Sequence, residues 1–399
     1  MIIVQEREMK ADNVKSKKPI KHMEEWKKLF DVAIRFKNIK CWRWMYDSDV
    51  FGIQNPVTGE IGYCCVLGNA EEVFGLTLYN GSSGLSLYLK VVNGEIDTED
   101  VNVMHLMAGI QMTFEDRELL DPFDLQLIKE LGYKFRGRNQ YPFFRNLKPG
   151  FYPWFLQLDE IAYLTVVVEQ AIDVCLRFKD NPDLLTPHTA NSYLVRVFKT
   201  HSQAIPAIKD PSGEMPEKTP EKLPEKISVE MPGEMPEKIA DKLSGECCGQ
   251  WVDVWLEPQL CEDKPPLPEP LNELLLFDIR RKNFPRSGIW ELDLFYSPIP
   301  VRNKKEDRPH FPYVLLIAEQ KASYILNFSL LKENENAREL PEQVLRLIKN
   351  VKLIPEKIQV GSKEAEVILA KLASELNVKL EIADKLLVIN DIQKQLFPE

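Results

Sequence analysis

The chain has 399 residues, 44% of them hydrophobic, and a formal net charge of −10. That length and apolar content suffice for two cores without disulfides or metal. The acidic balance argues against a surface built wholly to hold nucleic acid or an anionic membrane.

No apolar run approaches the roughly 20 residues of a membrane helix, so no membrane partner is expected. The N-terminus turns charged at Glu6, too early for a secretory signal. The seven cysteines, Cys41, Cys64, Cys65, Cys175, Cys247, Cys248 and Cys261, form no Cys-x-x-Cys pair. Together these features predict reduced thiols and a cytoplasmic location.

Residues 1–22 are Lys-rich and aperiodic, and read as a disordered head. Residues 23–208 read as an α+β domain with a mainly antiparallel sheet. Trp26, Leu29, Phe30, Ala33 and Ile34 fall at helical spacing. From Cys41 to Val92 the pattern changes to short β-rich runs broken by turn signals at Asn55-Pro-Val-Thr-Gly59 and Asn80-Gly-Ser-Ser-Gly84. Gly81-Ser-Ser-Gly84 is read as a turn between strands, because a phosphate cradle would need a lysine and a following helix. Helices are predicted near Glu99–Ala108 and Asp121–Leu131 and over Asp159–Phe178.

Residues 209–246 repeat Met-Pro-Glu-Lys and its variants, with six basic and ten acidic side chains. Proline at this density removes backbone donors, and so little apolar surface cannot offset ordering entropy, so the stretch reads as a disordered linker. Residues 247–399 read as an α/β domain with an irregular Pro-rich lead-in. Within it Ile289-Trp-Glu-Leu-Asp-Leu-Phe295 alternates as a strand. Phe311–Ala318 and Ser323–Leu330 form a predicted hairpin, and a helix is expected to open near Pro341. Ile358-Gln-Val360, a helix capped by Ser362, the strand Val378–Ile382 and a helix from Asp384 follow.

That order looks like a ribonuclease-H-like domain. Nucleases of that fold gather carboxylates from the first central strand, a later parallel strand and a closing helix to hold two divalent metals. Glu319 and Asp391, with Asp384 as a substitute, are the acidic candidates. The strand Ile358-Gln-Val360 runs into Gly361-Ser362 with no acid, so the clamp is incomplete and no nuclease activity is expected.

The segment 134–154 interleaves cations with rings and contains no acid. Arg136, Arg138, Tyr141, Phe143 and Arg145 are its candidate nucleic-acid contacts, because guanidinium groups hold phosphates and exposed rings stack on bases. The preferred reading is a rigid covering loop stiffened by Pro142, Pro149 and Pro153. No histidines stand at the i, i+4 spacing of a metal helix, and no serine is framed as Gly-x-Ser-x-Gly. Neither catalytic residues, nor a metal, nor a cofactor is expected.

Asn55-Pro-Val-Thr-Gly-Glu-Ile-Gly-Tyr-Cys-Cys-Val-Leu-Gly68, Gln111-Met-Thr-Phe-Glu-Asp-Arg117 and Pro149-Gly-Phe-Tyr-Pro-Trp154 in the first half stand with Arg308-Pro-His-Phe-Pro-Tyr313 in the second. Taken together these segments resemble an uncharacterised prokaryotic two-domain family whose halves are each catalogued as domains of unknown function. The resemblance implies two domains and no particular activity. The expected role is a non-enzymatic interaction or regulatory protein with two tethered modules and a protein partner. The alternative is a nucleic-acid-associated protein with a degenerate ribonuclease-H-like domain. Limited proteolysis is expected to cut first within 209–246; first cuts inside Tyr63–Tyr79 or Phe311–Leu330, seen by mass spectrometry, would refute this organisation.

Overall fold

Apolar residues three and four apart define α1 (Met23–Ile39), which buries Trp26, Leu29, Phe30, Val32, Ala33 and Phe36. It stops at Lys40, which takes the left-handed conformation at φ 60° and donates its N–H to the Phe36 carbonyl. The computed structural model describes residues 20–96, 105–187, 189, 191–200, 249–259, 270–302, 304, 307–331 and 336–396. The predicted 209–246 linker, nearly all of the 1–22 head, most of the Glu99–Ala108 helix, and Cys247, Cys248 and Cys261 lie outside the described residues.

The first sheet contains β1 (Phe51–Gln54), β2 (Ile61–Leu67), β3 (Gly75–Asn80), β4 (Gly109–Glu115), β5 (Tyr141–Leu147), β6 (Tyr193–Thr200) and β7 (Gly249–Leu256). Their order is β5-β4-β3-β2-β1-β6-β7, antiparallel throughout except for β1 against β6. Alternation along β2 divides the two faces. Cys64 and Val66 join the main core with α1 and α4 (Leu158–Asp180), while Tyr63 and Cys65 meet Leu85 and Tyr88 of α2 (Gly81–Val92). The short helix α3 (Pro122–Glu130) lies between β4 and β5 and begins in a capping box made by Asp121 and Asp124.

The Gly-Ser-Ser-Gly run is therefore a strand-to-helix transition and not a strand-to-strand turn. Gly81 takes φ +60°, and a Cβ on Gly84 would stand 3.0 Å from the Ala108 carbonyl. The left-handed φ of Gly81 and the close backbone approach at Gly84 both favour glycine, and the apparent turn signal comes from that steric demand.

The second sheet contains β8 (Ile289–Tyr296), β9 (Tyr313–Glu319), β10 (Tyr324–Leu331), β11 (Lys357–Val360) and β12 (Lys379–Ile382) in the order β10-β9-β8-β11-β12. β8, β11 and β12 are parallel, and β9 is antiparallel to both of its neighbours. Trp290, Leu292 and Leu294 share a core with α5 (Glu273–Lys282), α6 (Asn336–Val351) and α7 (Lys363–Leu376). On the opposite face Phe295, Val314, Leu316 and Ala318 pack against α8 (Leu387–Leu396). Pro341 lies inside α6, five residues beyond its start, and α8 begins at Leu387, after Asp384.

Residues 249–256 correct the sequence reading most. They are no part of an irregular lead-in to the second domain but form the edge strand of the first sheet, paired with β6 from Tyr193↔Leu256 to Thr200↔Gly249. Trp251 and Trp255 pack on the first core. Asp253 accepts from Arg177 at 2.6 Å and from Arg196 at 3.0 Å. Burial works against the Asp253 charge, but those two arginines outweigh it and hold the carboxyl below its usual range. The segment 201–248 thus leaves and re-enters the fold at two paired residues.

Proteolytic nicking of 209–246 is accordingly expected to leave the two fragments joined through β6 and β7, co-eluting in size-exclusion chromatography. Replacing the 48 residues 201–248 by a four-residue turn should keep the fold and, by loop-closure entropy, raise stability by about 2 kcal/mol. Unfolding in urea would measure this, and loss of the folded state on the replacement would show that the pairing does not hold.

Candidate interdomain site

Two of the most distinctive sequence segments meet in space. After β5 the chain runs through Pro149-Gly-Phe-Tyr-Pro-Trp154 and closes on itself, with Asn146 and Trp154 exchanging backbone hydrogen bonds of 2.7 and 3.0 Å. Gly150, at φ +72°, makes a bend that leaves the outer backbone edge available. The loop Arg308-Pro-His-Phe-Pro312 of the second half takes that edge. Tyr152 N–H donates to the Pro309 carbonyl at 3.0 Å and Phe311 N–H to the Gly150 carbonyl at 2.8 Å. The His105 ring packs on Phe311 with centroids 4.0 Å apart.

Arg308 fastens the joint. Its Nε donates to the Tyr152 carbonyl at 2.8 Å, and its two terminal nitrogens donate to Oδ1 and to the backbone carbonyl of Asn146 at 2.5 and 2.9 Å. The planar five-donor guanidinium can meet three fixed acceptors at once, which a lysine cannot. Asn146 in turn donates its amide to the Glu160 carboxylate at the start of α4. All the direct acceptors of Arg308 are neutral, so burial pulls its pKa down to about 10, opposed by the more distant charge of Glu160.

Arg145, next to Asn146 on β5, shows the opposite balance. It is 4% exposed and donates to Asp121 at 2.6 Å and to Asp124 at 3.0 and 2.7 Å. Burial alone would lower its pKa, but the charges and hydrogen bonds of Asp124 and then Asp121 leave it raised. Its guanidinium also stacks on Phe143, 3.8 Å from the ring centroid. The five basic and aromatic candidates therefore do not form one exposed face. Arg145 and Tyr141 are buried, the Tyr141 hydroxyl donates to the Phe135 carbonyl, and Phe143 is covered by Arg145. Arg136 and Arg138 remain exposed on the preceding loop. The covering-loop reading is also revised, since the centre of the segment is the edge strand β5.

The acidic candidates are likewise kept apart. Glu319 pairs with Trp290 and so shares the α6–α7 face of the second sheet, where it accepts from Ala322 N–H. Asp391 is exposed on α8, which covers the other face. The buried acid of this domain is Glu291 on β8, fully excluded from solvent. Its Oε2 accepts from Val388 and Ile389 N–H at 2.9 and 3.1 Å, and its Oε1 accepts from the Gln320 amide at 3.0 Å. A carboxylate facing the first turn of α8 satisfies donors that the helix itself cannot and lies favourably in its dipole. Gln320 also reaches Gln359, which donates to Glu381 at 2.8 Å, so a polar row crosses the sheet. Hydrogen bonds from Lys357, Lys379 and Gln359 take Glu381 down to about 2. The signal for Glu291 was present in the sequence, as one of two acids, with Asp293, that alternate with Trp290, Leu292 and Leu294 along a largely apolar strand.

The chain is thus a two-domain α/β protein with a seven-stranded mixed sheet, a five-stranded mixed sheet and a polar joint between them. Residues 26–196 match the family described as Domain of unknown function (DUF7309), and residues 278–397 match Domain of unknown function (DUF6930), one in each half of the chain. Neither the curated proteins nor the solved structures contain a match to it. Asn146–Trp154 and Arg308–Pro312 each lie within a matched range.

Removing Arg145 strands two buried carboxylates, so Arg145→Ala is expected to cost on the order of 3–5 kcal/mol. Arg138→Ala, whose side chain is 90% exposed and 3.5 Å from Asp116, should change stability by less than about 0.5 kcal/mol. Denaturant titration of the two variants checks both, and equal effects would mean that the Arg145 network is misassigned.

Proposed function

We propose that the protein is a non-enzymatic cytoplasmic interaction protein in which two docked α/β domains present a joint surface to a protein partner. The domain boundary is taken to fall between Leu256 and Asn272. The strand order of the second domain, with its second strand antiparallel to the rest, supports a ribonuclease-H-like assignment. In nucleases of that fold the first central strand carries a metal-binding carboxylate. Here that strand carries Glu291 and Asp293, and the observation that carries the proposal is that both already accept hydrogen bonds from inside the domain, Glu291 on both oxygens from Gln320, Val388 and Ile389, and Asp293 from Leu294 N–H at 2.9 Å and the Gln393 amide at 3.4 Å. A carboxylate used to cap α8 is withdrawn from a metal site. Gln359, its neighbour on β11, brings an amide where a second acid would be needed. No helix among the described residues is long and apolar enough to cross a membrane.

Incubation of the full chain with single-stranded, duplex and hybrid substrates in magnesium or manganese is expected to give no cleavage above background. Glu291→Gln removes a charged acceptor from three donors and should destabilise the protein by about 1–3 kcal/mol. Cleavage that disappears in Glu291→Gln while melting is unchanged would make Glu291 a metal ligand and overturn the proposal.

A further inference from the structure

A second feature of the first domain lies outside both the joint and the sheet chemistry. At the C-terminal end of α1 an open cavity of about 680 Å³ is bordered by Lys37, Lys40, Arg43 and Arg138, with Trp42 and Phe74 as apolar wall. Clefts of this size accommodate small-molecule ligands. The cations come from three places: the last turn of α1, the short 3₁₀ turn Cys41–Arg43, and the loop before β5. Helix C-terminal carbonyls favour Lys37 and Lys40, but account for neither Arg43 nor Arg138. Among the lining residues Glu71 is the one carboxylate, and Asp116 stands behind Arg138 at 3.5 Å. An excess of two to three positive charges is therefore gathered into one concavity. Like charges held together raise the energy of the free protein, and a multivalent anion relieves it.

Lys37 sits deepest. Its ammonium donates to the Asn139 carbonyl at 2.6 Å and to Gln140 Oε1 at 2.7 Å, both neutral, and lies 5.1 Å from the Phe114 ring centroid. These contacts fix the cation and leave its charge unneutralised. The wall is built to close tolerance, since a Cβ on Gly68, at φ +134°, would stand 2.8 Å from both Trp42 and Phe74.

We propose that this cleft binds a small ligand bearing a pyrophosphate group, held by Lys37, Lys40, Arg43 and Arg138 with its less polar part against Trp42 and Phe74. Arginine and lysine are the side chains that hold phosphate oxygens, by fork geometry and by point charge respectively. Burial, and secondarily the charge of Lys40, brings Lys37 down to about 8. The charged and titratable groups facing it are Lys40, Arg43, Arg138, Glu71 and Asp116. An anion in the cleft favours protonated Lys37, so binding above about pH 8 takes up a proton.

The test is isothermal titration of the full chain with pyrophosphate, inorganic phosphate, ADP and an oligothymidylate of about eight nucleotides. Pyrophosphate and ADP are expected to bind, with inorganic phosphate about tenfold weaker or worse. Affinity should fall with salt. Titrations near pH 8.5 in two buffers of different ionisation enthalpy should report the proton uptake. Lys40→Asn combined with Arg138→Gln should weaken pyrophosphate by about tenfold or more with melting unchanged, because both side chains are exposed and asparagine tolerates the positive φ of Lys40. Arg136→Gln, outside the cleft, should have no effect. No binding of either pyrophosphate or ADP, binding indifferent to the double variant, or binding of the oligonucleotide without pyrophosphate would each overturn the proposal.

Discussion

The arrangement of the two domains depends on a guanidinium held by carbonyl oxygens. Arg308 leaves water to sit against the backbone of Asn146 and Tyr152, and none of the atoms it touches carries a formal charge. Such a contact is directional, because three donors in one plane must meet three acceptors whose positions are set by a separate domain. It is also poorly compensated, because burial costs a cation more than neutral acceptors return. The remaining contacts of the joint, backbone pairs at Gly150 and Tyr152 and the packing of His105 on Phe311, supply the closeness that makes the guanidinium geometry reachable. Arg145 stands in contrast inside one domain, where two aspartates neutralise it and the network serves stability, not placement.

A carboxylate plays a comparable role in the second domain. Glu291 ties the N-terminus of α8 to the central strand through Oε2, and through Oε1, Gln320 and Gln359 the same carboxylate is linked across the sheet to Glu381. Buried polar rows of this kind are tolerated only when their members are satisfied. Here the donors come from helix backbone and amide side chains, which explains how an acid is accommodated with no solvent exposure.

Much of the architecture was legible in the sequence where a local period decided it. The helical spacing of Trp26, Leu29, Phe30 and Ala33, the hairpin ending in Leu330, and the order of strands and helices after it follow from patterns of 3.6 and 2 residues. What local pattern cannot reveal is partnership. Gly249–Leu256 reads as a short polar–aromatic run beside prolines, and its membership of the first sheet depends on residues some fifty positions earlier. Tyr141 to Arg145 look like an exposed basic and aromatic surface until the acids that meet Arg145 are brought from α3, more than twenty residues upstream. Glu319 and Asp391 seemed able to converge because the sequence does not say which face of a sheet each side chain takes. Nothing in the helical spacing of α1 marks Lys37, whose setting comes from Asn139 and Gln140, about a hundred residues further along the chain.

The return of the chain at Thr200 and Gly249 also has a mechanical meaning. A segment anchored at two adjacent, hydrogen-bonded positions pulls on β6 and β7 like the two tabs of a zipper. Load placed on it is carried by one pair of backbone contacts at a time, starting at the open end, and does not shear the whole strand at once. Strain arising in 201–248 is therefore spent at the rim of the first sheet. The Arg308 joint, on the far side of that sheet's strand order, is insulated from it.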